Sequence, residues 1–251
     1  MPSSSLLAAA GIAAIAGLGC IAWAQMPGLP LHSHAAPAVG HGPVVVELYQ
    51  SQGCSSCPPA EANLNALADR ADVIALSFGV TYWDYPGWKD SFASPANTAR
   101  QWDYAHRNGQ AEVFTPQIWV NGQTSIVGSS SAELDRAIAT QGAKPAPGPA
   151  MSVSGGHLSI AAGRAPAGGA DIWLVRYDPR TLNVPIRAGE NAGRTLPQRD
   201  IVRTLTRIGQ WTGGAQRIAL PPSASSGLRT AVLLQAGRGG PILSAARATA
   251  G

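Results

Sequence analysis

The sequence predicts an α/β domain built on a mixed sheet with helices on both faces, followed by a smaller all-β sandwich-like domain. Three observations predict it. Up to Ala143, apolar runs of strand and helix period alternate in the order β-α-β-α-β-β-α. A Pro-rich segment over residues 144–150 then interrupts the pattern and reads as a linker. Beyond it, residues 151–251 carry short apolar runs separated by turn clusters such as Pro221-Pro222 and Gly239-Gly240-Pro241. The composition permits this architecture: of 251 residues 45% are hydrophobic and 13% charged, which supplies a core and excludes a charge-driven disordered chain.

Taken in order, Leu6 to Ala24 is apolar or small and ends Ala22-Trp23-Ala24 before Gln25, the pattern of a signal peptide over residues 1–24. Its start lacks a Lys or Arg, and an uncleaved membrane anchor or a lipoprotein cleaved before Cys20 are the other readings. All three put the remainder outside the cytoplasm, periplasmic or secreted. Residues 25–42, rich in Pro, Ala, Gly and His, read as a flexible tether.

The first domain spans residues 43–143. Val44 to Tyr49 is a short run, β-branched at its start, that suits a strand buried on both faces. Ala60 to Leu67 has helical spacing, and Val73 to Val80 is the next strand. Ala93 to Arg107 reads as a helix, with Ser94-Pro95 as N-cap and first residue. Phe114 to Val120 and Thr124 to Val127 are strands joined by an Asn121-Gly122 hairpin turn. Ser130-Ser131-Ala132-Glu133 is a capping box opening a helix to about Thr140. In the second domain the runs are Met151–Ile160, Ile172–Tyr177, Arg217–Leu220, Thr230–Gln235 and Ile242–Ala246. Asp200–Ile208 fits either period and is assigned to a strand by its context.

Net charge is +4, but the 18 cations begin only at Arg70 and are scattered, so nothing points to nucleic acid. The three cysteines are more informative. Cleavage after Ala24 would leave Cys54 and Cys57, a single C-x-x-C in an oxidising compartment. A disulfide closing so short a loop removes little entropy from the unfolded chain, so redox chemistry or metal binding explains the pair better than stability. Only the thiolate is reactive. A C-x-x-C between a buried strand and a helix puts Cys54 at the helix N-terminus, where free N–H groups favour negative charge, and makes Cys57 the buried resolving thiol. Two thiolates alone leave a zinc or copper site short of ligands, and His32, His34 and His41 lie in the tether.

Further residues complete the candidate site. Thr115-Pro116 enters a strand, where proline is normally disfavoured, and makes sense as a cis bond pressed against the cysteines. Glu47 lies mid-strand in an apolar run, a costly place for a carboxylate unless it is paired or functional. It reads as an acceptor for the Cys57 proton or as a paired core acid. Trp83, Tyr85 and Trp88 form an aromatic cluster, either a platform that grips a substrate beside the thiols or a loop packed by its own rings. Gly189 to Arg194 lacks a phosphate-binding lysine and reads as a packed turn.

These segments together resemble the thioredoxin superfamily: Val44 to Leu48, Cys54-Ser55-Ser56-Cys57-Pro58-Pro59, Thr115-Pro116-Gln117 and Asn121-Gly122. The order of Pro116, hairpin, Gly128 and capped helix is similar to glutaredoxins. More narrowly, Ser51 to Ala60, Tyr82 to Asp90 and Gly189 to Arg194 resemble one bacterial family of exported thioredoxin-like proteins of unknown function, over about Val44 to Ala246. The resemblance implies a thioredoxin fold with an appended domain and no settled substrate. The chain departs from thioredoxin in carrying Gly53-Cys54-Ser55-Ser56-Cys57, and its acid lies one residue further from Cys54. The expected activity is thiol–disulfide exchange with a protein or small-molecule partner, without a cofactor or resident metal and with no nucleic acid. Contact with a membrane is expected only through the N-terminal segment. A copper carrier using the same pair, or an envelope binding module with a vestigial redox site, are the alternatives.

Overall fold

Two wholly buried parallel strands form the centre of the structure, β1 (Val44–Gln50) and β2 (Val73–Gly79), with Val44 opposite Val73. The computed structural model describes residues 42–84 and 87–248. Between the two strands runs α1 (Pro58–Leu67), which tolerates Pro58-Pro59 because its first turn needs no intrahelical N–H donors. Next, α2 (Pro95–Arg107) starts at Ser94, whose hydroxyl accepts from the Asn97 N–H, and ends with His106 and Arg107 near the negative pole of the helix. β3 (Gln117–Val120) pairs antiparallel with β1 and turns back through Asn121-Gly122 into β4 (Thr124–Ile126). Both turn residues have positive φ, 48° and 64°, as a tight hairpin requires. A side chain on Gly122 would also collide with Tyr104 and the Gly240 carbonyl. α3 (Ser131–Gly142) begins at the expected cap, Ser130 accepting from the Glu133 N–H.

The second half is all strand among the described residues. It comprises β5 (Met151–Ser154), β6 (His157–Ile160), β7 (Ala170–Asp178), β8 (Leu182–Pro185), β9 (Thr195–Gln198), β10 (Ile201–Trp211), β11 (Gln216–Ala219), β12 (Arg229–Gln235) and β13 (Ile242–Arg247). The ambiguous run after Asp200 is therefore a strand. Its side chains are mostly intermediate or exposed after Val202, which is why neither period dominates there.

The predicted fold class, a thioredoxin-like α/β domain followed by an all-β sandwich, is overturned. Eight strands from both halves form one mixed sheet in the order β13-β12-β7-β10-β2-β1-β3-β4. The described chain is mostly β, with three α-helices against thirteen strands, eight of them in one large mixed sheet, and it is not a thioredoxin fold. The join is the parallel contact of β10 with β2, where Ile201 faces Ser77 and the Ser77 N–H donates to the Asp200 carbonyl at 2.9 Å. The physical reason lies in β2. Its outer edge carries donors and acceptors that need partners; β10 meets it at Ser77, and Ala93 bridges it at Gly79. Two small sheets complete the architecture, β11-β6-β5 and the β8-β9 hairpin.

The core follows the sheet across both halves. On one face Val45, Tyr49, Phe78, Tyr104 and Trp119 share a cluster with Val175, Tyr177, Leu233 and Ile242. On the other, Val44, Val46 and Leu48 meet Ala60, Leu64 and Leu67 of α1 and Leu134 and Ile138 of α3. The sheet β11-β6-β5 packs through Val153, Leu158 and Ile160 against Ile172, Leu174, Val232 and Leu234.

One buried ion pair crosses this core. Arg100 Nε lies 2.8 Å from Glu47 Oε1, with 4% and 0% of the two residues exposed. Arg100 also donates to Gln235 Oε1 of β12 and to the Tyr104 hydroxyl, and that hydroxyl donates to Glu47 Oε2. Every partner is satisfied, so removal of one leaves a bare buried charge. Arg100→Ala is predicted to cost about 3–5 kcal/mol, read as a lowered urea midpoint.

Candidate functional site

Past Gln50 the chain turns sharply: the Cys54 N–H donates to the Ser51 carbonyl at 3.1 Å and the Cys57 N–H to the Cys54 carbonyl at 3.2 Å. The turn brings Cys54 and Cys57 into a disulfide, with their Cα atoms 5.5 Å apart. Cys57 is the residue capping α1, and Cys54 sits in the turn before it. The disulfide is sealed: 0% of Cys54 and 2% of Cys57 is exposed.

The seal on one side is the β8-β9 hairpin. Its tip holds Asn191, wholly buried, whose side-chain amide donates to the Gln52 carbonyl at 2.9 Å and the Cys54 carbonyl at 2.8 Å. The neighbouring Glu190 carboxylate accepts from Ser55, from the N–H at 3.1 Å and from the hydroxyl at 2.7 Å. These bonds hold its carboxyl below the usual range, the Ser55 hydroxyl most and its amide next. Arg194 braces the tip by donating to Asn191 Oδ1.

Behind the disulfide lies a buried polar network. Gln52 donates to Gln198 Oε1 and to the Ser91 hydroxyl, while its carbonyl oxygen Oε1 accepts from the Trp88 indole. Asp90 accepts from the Gln52 N–H, and burial pushes its carboxyl up. Gln198 donates to Glu61 Oε2, whereas Glu61 Oε1 is buried with no partner. Glu61 is one turn beyond Cys57 on α1, its N–H donating to the Cys57 carbonyl. The two residues line one cavity of about 170 Å³ with Gln50, Ser51, Arg194 and Leu196. Burial, against the Gln198 hydrogen bond and with the Asp90 charge adding to it, pushes the Glu61 carboxyl up to about 8. Glu61 is therefore a proton-holding group at neutral pH beside the cysteine pair.

The residues singled out from the sequence divide. Thr115-Pro116 is a cis bond. Gln117 faces Tyr49 across β3 and β1, so Pro116 lies at the end of β1 from which the cysteine turn departs. Thr115 Oγ1 accepts from the Trp83 indole at 2.7 Å, and Trp83 packs beside Gly53. Trp88 is tied to Gln52 by its indole, so both tryptophans border the cysteine turn, Trp83 by packing and Trp88 by a hydrogen bond. Glu47 is not brought to the disulfide. It shares the β1 face of Val45 and Tyr49, toward α2, whereas α1 packs on the face of Val46 and Leu48. Tyr85, Cys20, His32, His34, His41 and the apolar N-terminal run lie outside the described residues. Among the described residues no cluster of three or more His, Cys, Asp or Glu is placed to hold a metal. Nor is any helix there long and apolar enough to cross a membrane.

Sequence reasoning missed Glu61, Asn191, Glu190, Gln52 and Gln198. For Glu61 a signal was present, since it follows the buried Ala60 and precedes Leu64 at helical spacing. Its raised pKa has a consequence for stability. Above the unfolded value of about 4.5 the unfolded chain releases a proton that the folded chain keeps until about 8. Stability from this group is complete below that lower value and is lost as pH rises between the two. Glu61→Gln is predicted to gain on the wild type by about 1.4 kcal/mol per pH unit across that window, measured by denaturant unfolding as a function of pH.

No curated protein matches the chain. Among solved structures, the X-ray structure of a protein from Agrobacterium tumefaciens is similar at 30% identity and a TM-score of 0.69, over 83% of this chain and 94% of that one. HBP35 of Porphyromonas gingivalis is similar in fold alone, at 13% identity and a TM-score of 0.53, over 82% of this chain and 74% of that one. The family model described as Protein of unknown function (DUF1223) matches residues 45–235, and the chain belongs to that family.

Proposed function

We propose that the protein is an exported thiol–disulfide oxidoreductase acting through Cys54 and Cys57. The observation that carries this reading is the shared cavity. A disulfide with almost no exposed surface has beside it a carboxyl group that still holds its proton at neutral pH. Chain entropy gives such a short loop little structural value, and a protonated buried acid lining the cavity with Cys57 is a proton source for that sulfur as it departs. Export is supported by the apolar run and Ala22-Trp23-Ala24. The segments that resemble the thioredoxin superfamily, the C-x-x-C and Thr115-Pro116, support exchange chemistry at the same end of β1.

In the reductive direction, a thiolate of an external dithiol attacks Cys54 Sγ. The Cys54–Cys57 bond breaks and its electron pair passes to Cys57 Sγ, which takes the proton of Glu61. The dithiol's second thiolate then attacks its own sulfur in the mixed disulfide and releases Cys54 as a thiolate. The dithiol ends as a disulfide and the protein as the reduced pair. The reverse sequence oxidises a substrate dithiol. Thr115, Trp83 and Trp88 border the cysteine turn, the side on which a protein or small-molecule partner would lie once Cys54 is uncovered.

Cys54→Ser is predicted to bring dithiol-dependent disulfide reduction down to the uncatalysed background. Cys57→Ala is predicted to accumulate a mixed disulfide on Cys54, detected by mass spectrometry of the intact protein. Full turnover by Cys54→Ser would overturn the assignment.

A further inference from the structure

The redox reading accounts for the cysteines and for Glu61, but not for Glu190. This residue is exposed beside the buried Asn191 of the hairpin tip, and among the described residues it is in no ion pair. Its carboxylate is nonetheless committed to a defined place, with one oxygen on both the N–H and the hydroxyl of Ser55. Ser55 directly follows Cys54. A negative charge is thus fixed on the residue that follows Cys54 by a segment 135 residues away in the chain.

We propose that Glu190 is a positioning residue of the redox pair: it latches the hairpin tip over the oxidised disulfide and opposes a thiolate at Cys54. This rests on the exchange chemistry proposed above. With the disulfide formed, neither sulfur is charged, and the Ser55 donors are free to hold the carboxylate. Reduction by an external dithiol transfers two electrons, breaks the Cys54–Cys57 bond and, with one proton taken at Cys57, leaves a negative charge on Cys54. Two anions then compete for one turn of backbone, and like charges at that spacing disfavour each other. Either the thiol stays protonated or the Glu190 contact breaks.

The seat of the tip explains why that contact controls access. Asn191 bonds to the carbonyls of Gln52 and Cys54, so the tip sits on the backbone of the cysteine turn itself. Both sulfurs are sealed while it is seated. The other charged groups that face the pair are Arg194 of the same hairpin, Glu61 of α1, and Asp90 behind Gln52. Arg194 is engaged with Asn191, Glu61 holds its proton at neutral pH, and Asp90 accepts from two backbone amides. Glu190 is the anion of this set whose contact is next to Cys54.

The test reads the thiol without any partner substrate, so it stands apart from the success or failure of a reductase assay. The reduced full-length protein is alkylated with iodoacetamide across pH, and the rate at Cys54 is followed by peptide mapping. Glu190→Gln keeps an oxygen to accept from Ser55 and removes only the charge. It is expected to move the midpoint for Cys54 alkylation down by about one pH unit. Glu190→Ala removes the seat as well. It is expected to show the same shift and a several-fold faster reduction of the oxidised protein by dithiothreitol. Unfolding midpoints confirm that both variants are folded. A wild-type alkylation profile in folded Glu190→Gln overturns the proposal, even if Glu190→Ala alone opens the disulfide, because the contact would then be packing without electrostatic control.

Discussion

The parallel contact between β10 and β2 is the constraint from which the site follows. Only one pair of residues, Ile201 and Ser77, is in register there, but it fixes where the C-terminal half enters the sheet. Asp200, with a positive φ of 51°, turns the chain into that contact. The residues just before it are thereby held against α1: Gln198 reaches Glu61 and Gln52, and Asn65 donates to the Pro197 carbonyl. The hairpin that ends at Gln198 has no strand neighbour in the large sheet. Its base is positioned by the β10 entry, and its tip reaches the cysteine turn. Without the sheet join, the disulfide would have no roof.

Two buried acids on opposite faces of the sheet show how environment assigns roles. Glu47 is fully satisfied by Arg100 and Tyr104, an arrangement that holds α2, β1 and β12 together. Glu61 is equally buried but has an amide donor on one oxygen and nothing on the other. A paired carboxylate in the interior is structural; an unpaired one keeps its proton and has chemistry to offer. The difference lies in what each meets: Glu47 emerges from β1 toward α2 and its Arg100, whereas Glu61 emerges from α1 and meets only the Gln198 amide.

That difference marks the limit of what the sequence made legible. The strands β1 and β2, the Asn121-Gly122 hairpin, the Ser94 and Ser130 caps and the Thr115-Pro116 bond were all readable, because each depends on neighbours within a few residues. Glu47 stood out because a lone acid in a β-branched run is conspicuous. Its direction was not readable, since a strand buried on both faces has no polar side to set the parity. The join of the two halves was hidden for a related reason. Pairing of β10 with β2 is a long-range choice, and the Pro-rich segment before β5 resembled a boundary. Only its end is packed, Pro149 being buried with its carbonyl accepting from the Ser244 hydroxyl, while residues 144–147 are exposed. β8 and β9 are four residues each, and Pro185 and Pro197 lie within them, so no local pattern marks them as strands.

The polarity of the site follows from placing the two acids around the two sulfurs. In the exchange chemistry proposed above, Glu61, neutral, shares a cavity with Cys57 and is its proton source; Glu190, its carboxyl held below the usual range, is fixed on Ser55, the residue after Cys54. A protonated acid eases the departure of Cys57 as a leaving group, whereas a carboxylate beside Cys54 disfavours the thiolate that reduction creates. The first accelerates opening of the disulfide from either direction without changing which side is favoured. The second bears on the equilibrium, because it weighs against the reduced state only. Stabilising the disulfide relative to the dithiol lowers the reduction potential. If the pair exchanges electrons as proposed, the hairpin sets how readily it accepts them, and α1 sets how fast the proton follows.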